Sequence, residues 1–274
     1  MSFLNLSGYH FTPLIDIAAI KETFIEKSQE VNIKGTVLLA PEGINLFISG
    51  PSEDCDSFIE KVCNTLHIEP SALELKPSWS ENIAFNRFLV RLKKEIIAFD
   101  YEFNAEHQAP YVSAKELDSW LENSPEDVVL LDTRNRYETK FGAFSKAVIP
   151  LIDTFKEFKP FIETIQDLKG KKIVTYCTGG IRCEKAANFL KEQGFEDVYQ
   201  LRGGILKYFE ETQAANYDGE CFVFDKRVSL KADLTLSDKK VCYACRSPLM
   251  IEDCAHIAYQ EGSSCPYCID RSAK

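Results

Sequence analysis

The sequence predicts a mixed α+β and α/β chain of three units: an N-terminal α+β sandwich over 1–105, a parallel α/β unit over 106–215, and a small cysteine-rich segment over 216–274. Three observations predict this. The first hundred residues run strand, helix, strand, strand, helix, strand, the βαββαβ order of a ferredoxin-like split sandwich. The next hundred alternate short apolar strands with helical patterns, which implies a parallel sheet covered by helices. The last segment holds two Cys-x2-Cys pairs with 19 residues between them, the spacing of a zinc ribbon.

Each element has a local reason. Phe3 to Phe11 alternates loosely as a strand, and Ile17, Ile20 and Phe24 set a helical stripe. Gly35–Ala40 and Ile44–Ile48 read as a hairpin about Pro41-Glu42-Gly43. A helix from about Ser52 puts Cys55, Phe58, Ile59, Val62, Cys63 and Leu66 on one face, so both its cysteines are core residues. A closing strand is expected around Phe85–Leu92. The polar, proline-bearing stretch 103–110 reads as a linker. Beyond it, Ser113 and Glu116 form a capping box for a helix carrying Leu117, Trp120 and Leu121. Val128–Leu131 suits a strand buried on both faces, and another strand is expected at Ala147–Ile149. A helix from about Thr154 to Gln166 follows, then the strand Lys172–Tyr176, a helix Glu184–Gln193 closed by Gly194, the strand Val198–Leu201 and a helix after Gly204. In the tail, Cys221–Asp225 reads as a strand.

Composition narrows the class. The chain is 45% hydrophobic and 27% charged, which is ordinary for a globular protein. No 18-residue window is free of charge, which argues against a transmembrane helix. The N-terminus lacks the basic and apolar regions of a signal peptide. A cytoplasmic protein without membrane contact is expected, its ten cysteines reduced, metal-bound or catalytic. Net charge is −10, divided as −6, −3 and −1 over the three segments. That excludes broad nonspecific nucleic-acid binding, and leaves an RNA contact only to a local basic face.

The chemistry centres on Cys177-Thr178-Gly179-Gly180-Ile181-Arg182-Cys183. A β-branched strand delivers the thiol to a glycine-bearing loop at a helix start, in a parallel sheet whose active site belongs at the carboxyl ends of its strands. Helix-start amides and Arg182 favour the thiolate. Such a thiolate attacks as a nucleophile or carries sulfur as a persulfide. Cys183 is either a resolving thiol for an oxidised Cys177 or a residue packed beneath the loop. Asp132, Arg134 and Glu138, just after a buried strand, are expected to brace loops through bidentate hydrogen bonds. Cys242, Cys245, Cys265 and Cys268 supply four thiolates for a closed structural zinc site, the alternative being an unmetallated or oxidised tail. Cys254 and His256 lie between the pairs as substitute ligands. No flavin or nicotinamide fingerprint is present, and four histidines offer no convincing iron triad.

Asp132-Thr133-Arg134 with Glu138, the Cys177–Arg182 loop and Leu201-Arg202-Gly203-Gly204-Ile205 together resemble the rhodanese domain. The resemblance implies that Cys177 carries a persulfide in a cradle of loop amides (Thr178, Gly179, Gly180, Ile181) closed by Arg182. Related cysteine phosphatases need a C-x5-R loop to enclose phosphate, whereas this one is C-x4-R, which removes that chemistry. Over the whole chain, Gly35–Asn45, Cys177–Ala186 and Gly219–Val228 are similar to the bacterial tRNA uridine hydroxylase family. Leu46-Phe47 depart from it, standing where a small Gly-Thr-like pair is expected. This resemblance implies an acylphosphatase-like first domain, a rhodanese domain, and oxygen-dependent formation of 5-hydroxyuridine at the tRNA wobble position. Molecular oxygen is then the co-substrate and tRNA the partner, beside an electron or sulfur donor of which the sequence carries no signature. Candidates for RNA contact are Arg182 and Lys185 beside the loop, then Arg202, Lys207, Lys226, Arg227 and Arg246, with Tyr176 and Tyr208 as stacking surfaces. Competing expectations are a thiosulfate or persulfide sulfurtransferase and a noncatalytic tRNA- or protein-binding scaffold, which the intact loop argues against.

Overall fold

A computed structural model describes residues 2–102 and 108–269. The linker expected over 103–110 therefore falls at 103–107 outside the described residues.

Alternation builds the first sheet. Strand β1 (Phe3–Phe11) is followed by helix α1 (Ile17–Glu30), the hairpin β2 (Lys34–Ala40) and β3 (Gly43–Gly50), helix α2 (Ser52–Leu66), and strands β4 (Lys76–Ser80) and β5 (Phe88–Leu92). The sheet order is β4-β1-β3-β2-β5, antiparallel except where β5 runs parallel to β2. One face presents Leu4, Leu6, Val37, Leu39, Ile44, Leu46 and Ile48 to Phe24, Phe58 and Val62 of the two helices. Phe24 and Phe58 are fully buried in edge-on contact, each contributing about 2–3 kcal/mol of burial. Cys55 and Cys63 belong to this core. The opposite face is polar: in register, Asn5, Ser7 and Tyr9 of β1 stand beside Lys76 and Ser78 of β4 and Asn45 and Phe47 of β3.

The closing strand is a correction. The βαββαβ sandwich is closed by β4 at 76–80, and the apolar run around 85–92 supplies β5, an added edge strand beyond β2.

The second unit comprises β6 (Tyr111–Val112), α3 (Ala114–Asn123), β7 (Val128–Asp132), α4 (Arg136–Thr139), β8 (Gly142–Phe144), α5 (Phe158–Ile162), β9 (Lys172–Tyr176), α6 (Ile181–Glu192), β10 (Val198–Leu201) and α7 (Gly204–Thr212). Ser113 caps α3, its hydroxyl accepting the Glu116 amide at 3.2 Å. The parallel sheet has the order β6-β10-β9-β7, and its strands end at the Cys177 loop. The strand expected at 147–149 reduces to a single bridge of Val148 to Leu131. The helix expected over 154–166 is broken into 3-10 turns flanking the five-residue α5. Pro160 withholds one amide inside α5, and the backbone leaves the helical path at Ile165, with φ −118° and ψ 26°. Phe155, Phe158, Ile162 and Ile165 still reach the core.

The last segment adds β11 (Tyr217–Gly219) against β8, then the pair β12 (Cys221–Phe222) and β13 (Ser229–Leu230), the pair β14 (Lys240–Val241) and β15 (Pro248–Leu249), and α8 (Ile251–Ala255). The strand expected to reach Asp225 stops at Phe222. Asp225 instead closes a turn, accepting both the amide and the guanidinium of Arg227. Among the described residues no helix is long and apolar enough to cross a membrane.

Candidate active site

The loop Cys177–Gly180 joins β9 directly to α6, and glycines make its shape possible. Gly180 has φ +99°, and a Cβ there would come within 2.9 Å of the Tyr9 hydroxyl. The loop rests on the start of α7: the Ile205 and Leu206 amides donate to the Cys177 and Thr178 carbonyls at 2.9 and 3.1 Å. Gly204, with φ +66°, lies so close that a Cβ would sit 2.4 Å from the Cys177 carbonyl oxygen. The Leu201–Ile205 motif is thus the shelf beneath the reactive loop.

Cys177 is fully buried, and its Sγ accepts the Gly180 amide at 3.1 Å. Burial pushes this thiol up, but a hydrogen bond from Cys183, the Arg182 charge and the Arg182 and Gly180 amides outweigh it. Cys177 is held well below the ordinary thiol value. Cys183 moves the other way, pushed up by burial and by the Cys177 thiolate. The two shifts favour Cys177 as the thiolate and Cys183 as the thiol that donates to it. Cys183 is anchored in the first turn of α6, its amide donating to the Gly180 carbonyl at 2.9 Å.

Arg182 reaches away from solvent and forks onto Glu138, at 2.6 and 2.7 Å. Glu138 is fully buried, and also accepts the Thr178 hydroxyl at 3.3 Å and the Asn135 amide at 3.1 Å. Arg134, likewise buried, forks onto Asp132 and donates to Tyr217 and the Gly142 carbonyl. It ties the end of β7 to β8 and β11 without lining the cleft. Removing one partner of a buried pair strands the other's charge. Glu138→Gln is expected to cost about 3 kcal/mol, lowering the thermal midpoint by roughly 6–12 °C in a chain of this size. An unchanged midpoint in calorimetry would show that Arg182 finds another partner.

The polar face of the first sheet closes over this loop. Between them lies a cleft of about 690 Å³ including its open mouth, with Cys177, Thr178, Gly179, Ile181 and Arg182 on one side. Ser7, Tyr9, Asn45, Phe47, Lys76 and Ser78 line the other, and Val223, Phe224, Asp225 and Arg227 of the last segment complete it. Phe224 is 46% exposed, 6.5 Å from Phe47 and 5.9 Å from the Arg182 guanidinium. The unusual Phe47 therefore places an aromatic ring in the cleft.

Several candidate RNA contacts are corrected. Lys185 is fully buried: its ammonium binds Glu42 and Glu95 at 2.8 and 2.6 Å, tying α6 to the first domain. Tyr176 and Tyr208 are fully buried and offer no stacking surface. Tyr208 bonds Asp118, and Tyr176 packs edge-on to Phe144. Arg227 is nearly buried between Asp225 and Ser78. Lys207 pairs with Glu210 and Glu211, while Arg202, Lys226 and Arg246 are exposed.

Residues the sequence reasoning missed come from the first domain. Tyr9 donates to Glu184 at 2.9 Å, and Glu184 also accepts Tyr111 and Gln200. Lys76 enters the cleft from β4. The available signal was the polar alternation Asn5, Ser7, Tyr9 and Lys76, Ser78, Ser80.

In the tail, the Sγ atoms of Cys242, Cys245, Cys265 and Cys268 lie within 4.8 Å of one another. Cys254 packs beside them, whereas His256 turns its Nδ1 to the Ala258 amide at 3.0 Å.

With this geometry in place, comparison with protein families matches residues 3–96 to the UPF0176 acylphosphatase like domain and 113–211 to the rhodanese-like domain. A curated protein of Cupriavidus metallidurans, named tRNA uridine(34) hydroxylase, is 43% identical over 100% of this chain and 99% of its own. One of Paraburkholderia xenovorans with the same name is 45% identical over 98% and 96%. Among solved structures, a rhodanese-like domain from Anabaena sp. covers 40% of this chain and 79% of its own at 25% identity, with a TM-score of 0.34.

Proposed function

The chain belongs to the tRNA uridine(34) hydroxylase family, and on that premise we propose that Cys177 is the thiolate on which its reaction turns. The reaction is hydroxylation of the wobble uridine, and tRNA is the substrate. The observation that carries the assignment is the Cys177 sulfur, held by the Gly180 amide in the lining of a cleft walled by all three segments. A base turned out of the anticodon stack would enter the cleft beside Phe47 and Phe224, whose rings offer apolar contact in place of its lost stacking. Addition of sulfur to uracil C6 moves the C5=C6 π pair towards C5 and O4, making C5 nucleophilic toward an oxygen donor. A sulfenate or persulfide on Cys177 that relays oxidising equivalents is the other route through the same atom. Molecular oxygen is proposed as co-substrate, one atom entering the base and the other leaving as water with two electrons from an external donor.

Arg182 is proposed as a catalytic residue that favours the Cys177 thiolate while Glu138 holds it, and Asp132 and Arg134 support the site from behind by bracing the end of β7 against β8 and β11. Arg202 and Lys226, exposed on the cleft-bearing units, are the proposed contacts to the RNA backbone. Cys183 is proposed to resolve an oxidised Cys177 as a disulfide, the alternative being a residue that packs beneath the loop, and mass spectrometry after peroxide treatment distinguishes the two. The tail cysteines are proposed to hold structural zinc, and a tRNA substrate suits a cytoplasmic enzyme. Nucleoside analysis of tRNA from a strain lacking this gene tests the function. Loss of 5-hydroxyuridine is expected; loss of a thiolated nucleoside with 5-hydroxyuridine intact would make the protein a sulfurtransferase instead.

A further inference from the structure

We propose that Lys76 is a catalytic cation of this site, holding O4 of the target uracil and taking up the charge that reaches it when Cys177 adds at C6. The proposal rests on the Cys177 reading above. Lys76 opens β4 opposite Ser7, on the sheet face that walls the cleft. It is only 8% exposed. Its stem lies along the reactive loop: a Cβ on Gly203 would come 3.7 Å from its Cε, and one on Gly179 4.0 Å from its Cδ. Among the described residues its Nζ has no hydrogen-bond partner, only the Tyr9 ring, whose centroid is 4.7 Å away.

A buried ammonium without a hydrogen-bond partner is costly, and this one sits covered behind the lining of a cleft whose other cations are engaged. Arg182 is spent on Glu138, and Arg227 on Asp225 and Ser78. Glu184, the nearby carboxylate of α6, is taken by Tyr9, Tyr111, Gln108 and Gln200. Among the described residues no acceptor of the cleft bonds the Lys76 ammonium, although the Cys177 thiolate attracts it through space, and a uracil seated beside Cys177 brings a carbonyl oxygen. In the addition step the S–C6 bond forms, the C5=C6 π pair moves through C4 onto O4, and the negative charge passes from sulfur to oxygen. No proton or oxidant is consumed. An ammonium at O4 is worth most after that transfer, so it stabilises the adduct more than the bound substrate.

The surrounding charges set the pH at which this works. Burial pulls Lys76 down to about 8, Glu74, Cys177 and Glu184 pull it up, and Lys207 pushes it down. Activity should therefore fall as pH rises through about 8.

The test uses the full-length enzyme and an anticodon stem-loop RNA carrying uridine or 4-thiouridine at position 34. Lys76→Met is expected to lower kcat about 10²–10³-fold, with KM for the RNA within about threefold and the high-pH limb gone. Cys177 in the variant should still be alkylated by iodoacetamide to one equivalent, showing an intact loop. The 4-thio substitution should slow the wild type and leave Lys76→Met indifferent. Should Lys76→Met fold poorly, methylammonium is expected to restore turnover to Lys76→Ala, and no restoration would overturn the proposal. Wild-type turnover by Lys76→Met while Cys177→Ser is dead would refute the Lys76 role alone. Turnover by Cys177→Ser would refute the reading beneath it. An equal 4-thio effect in wild type and variant would assign Lys76 to another acceptor, such as phosphate, and overturn the proposal.

Discussion

Cys177→Ser is expected to lower 5-hydroxyuridine formation by on the order of 10³-fold or more, as loss of a catalytic nucleophile does. Serine keeps the shape of the loop and its bond from the Gly180 amide, but an alcohol stays protonated where this thiol does not. The site is built around the anion: the Cys183 thiol, the Arg182 charge and two loop amides together overcome the burial that opposes it. The same balance fixes the pH dependence. Because the folded value of Cys177 lies below the unfolded thiol value of about 8.5, the native state binds fewer protons than the unfolded chain between the two. Stability contributed by this group is complete above the unfolded value and is lost as pH falls through the folded one. Cys183, shifted upward, opposes this above about 8.5, where the unfolded chain releases a proton that the native state keeps. Alkylation of Cys177 by iodoacetamide should accordingly persist well below pH 8.5, whereas Cys55, pushed up to about 12 by burial, stays unreactive. Tryptic mass spectrometry across pH reads both. A Cys177 rate that collapses below pH 8 would mean the anion is not stabilised, and 5-hydroxyuridine sustained by the serine variant would remove Cys177 from the chemistry.

The reactive loop was legible because its chemistry is local: strand end, thiol, glycines and arginine lie within ten residues. The opposite wall of the cleft was not. Hydrophobic alternation finds strands that bury one face in a core, and Phe85–Leu92 met that test while Lys-Pro-Ser-Trp-Ser at 76–80 did not. β4 escapes that test because Lys76 and Ser78 line the cleft and Ser80 accepts from Asn5 instead of packing in a core, so the unseen strand and the unseen site residue have one cause. Lys185 failed for a related reason. A lysine in the first turns of a helix beside an active loop reads as a solvent-facing cation. Only the fold brings Glu42 and Glu95, about 140 and 90 residues away in sequence, to bury it. The broken segment 155–168 shows the converse, since Phe155, Phe158, Ile162 and Ile165 keep helical spacing although the backbone leaves the helical path at Ile165.

Cys265→Ser is expected to abolish metal binding and unfold the chain from about residue 240 onward. The tail's buried cluster is Cys242, Leu249, Cys265 and Cys268, too little apolar surface to fold a segment alone. Its thiols are arranged for a shared centre. The Cys242–Cys268, Cys245–Cys265 and Cys265–Cys268 Sγ separations are 3.9, 3.6 and 3.7 Å, far beyond a disulfide length of about 2.05 Å. They match the edge of a tetrahedron, about 3.8 Å when each zinc–sulfur bond is about 2.3 Å. Binding of zinc to such a set is worth roughly 10–16 kcal/mol, more than the folding free energy of most small domains, so the metal would decide whether the tail is folded. Freshly purified, reduced protein should contain one zinc per chain, released by a mercurial and absent from Cys265→Ser. Limited proteolysis of that variant should remove the tail and leave both sheets intact. A smaller effect should reach the cleft. Lys140 donates to Ser247 at 3.2 Å, and Arg246 lies 5.0 Å from the Tyr137 ring, so the tail steadies α4, which carries Glu138 and through it Arg182. Turnover is expected to fall about tenfold, a barrier change of about 1.4 kcal/mol. Metal analysis finding no stoichiometric zinc would reject the site, and zinc found with an intact, protease-resistant tail in Cys265→Ser would show that three thiols suffice.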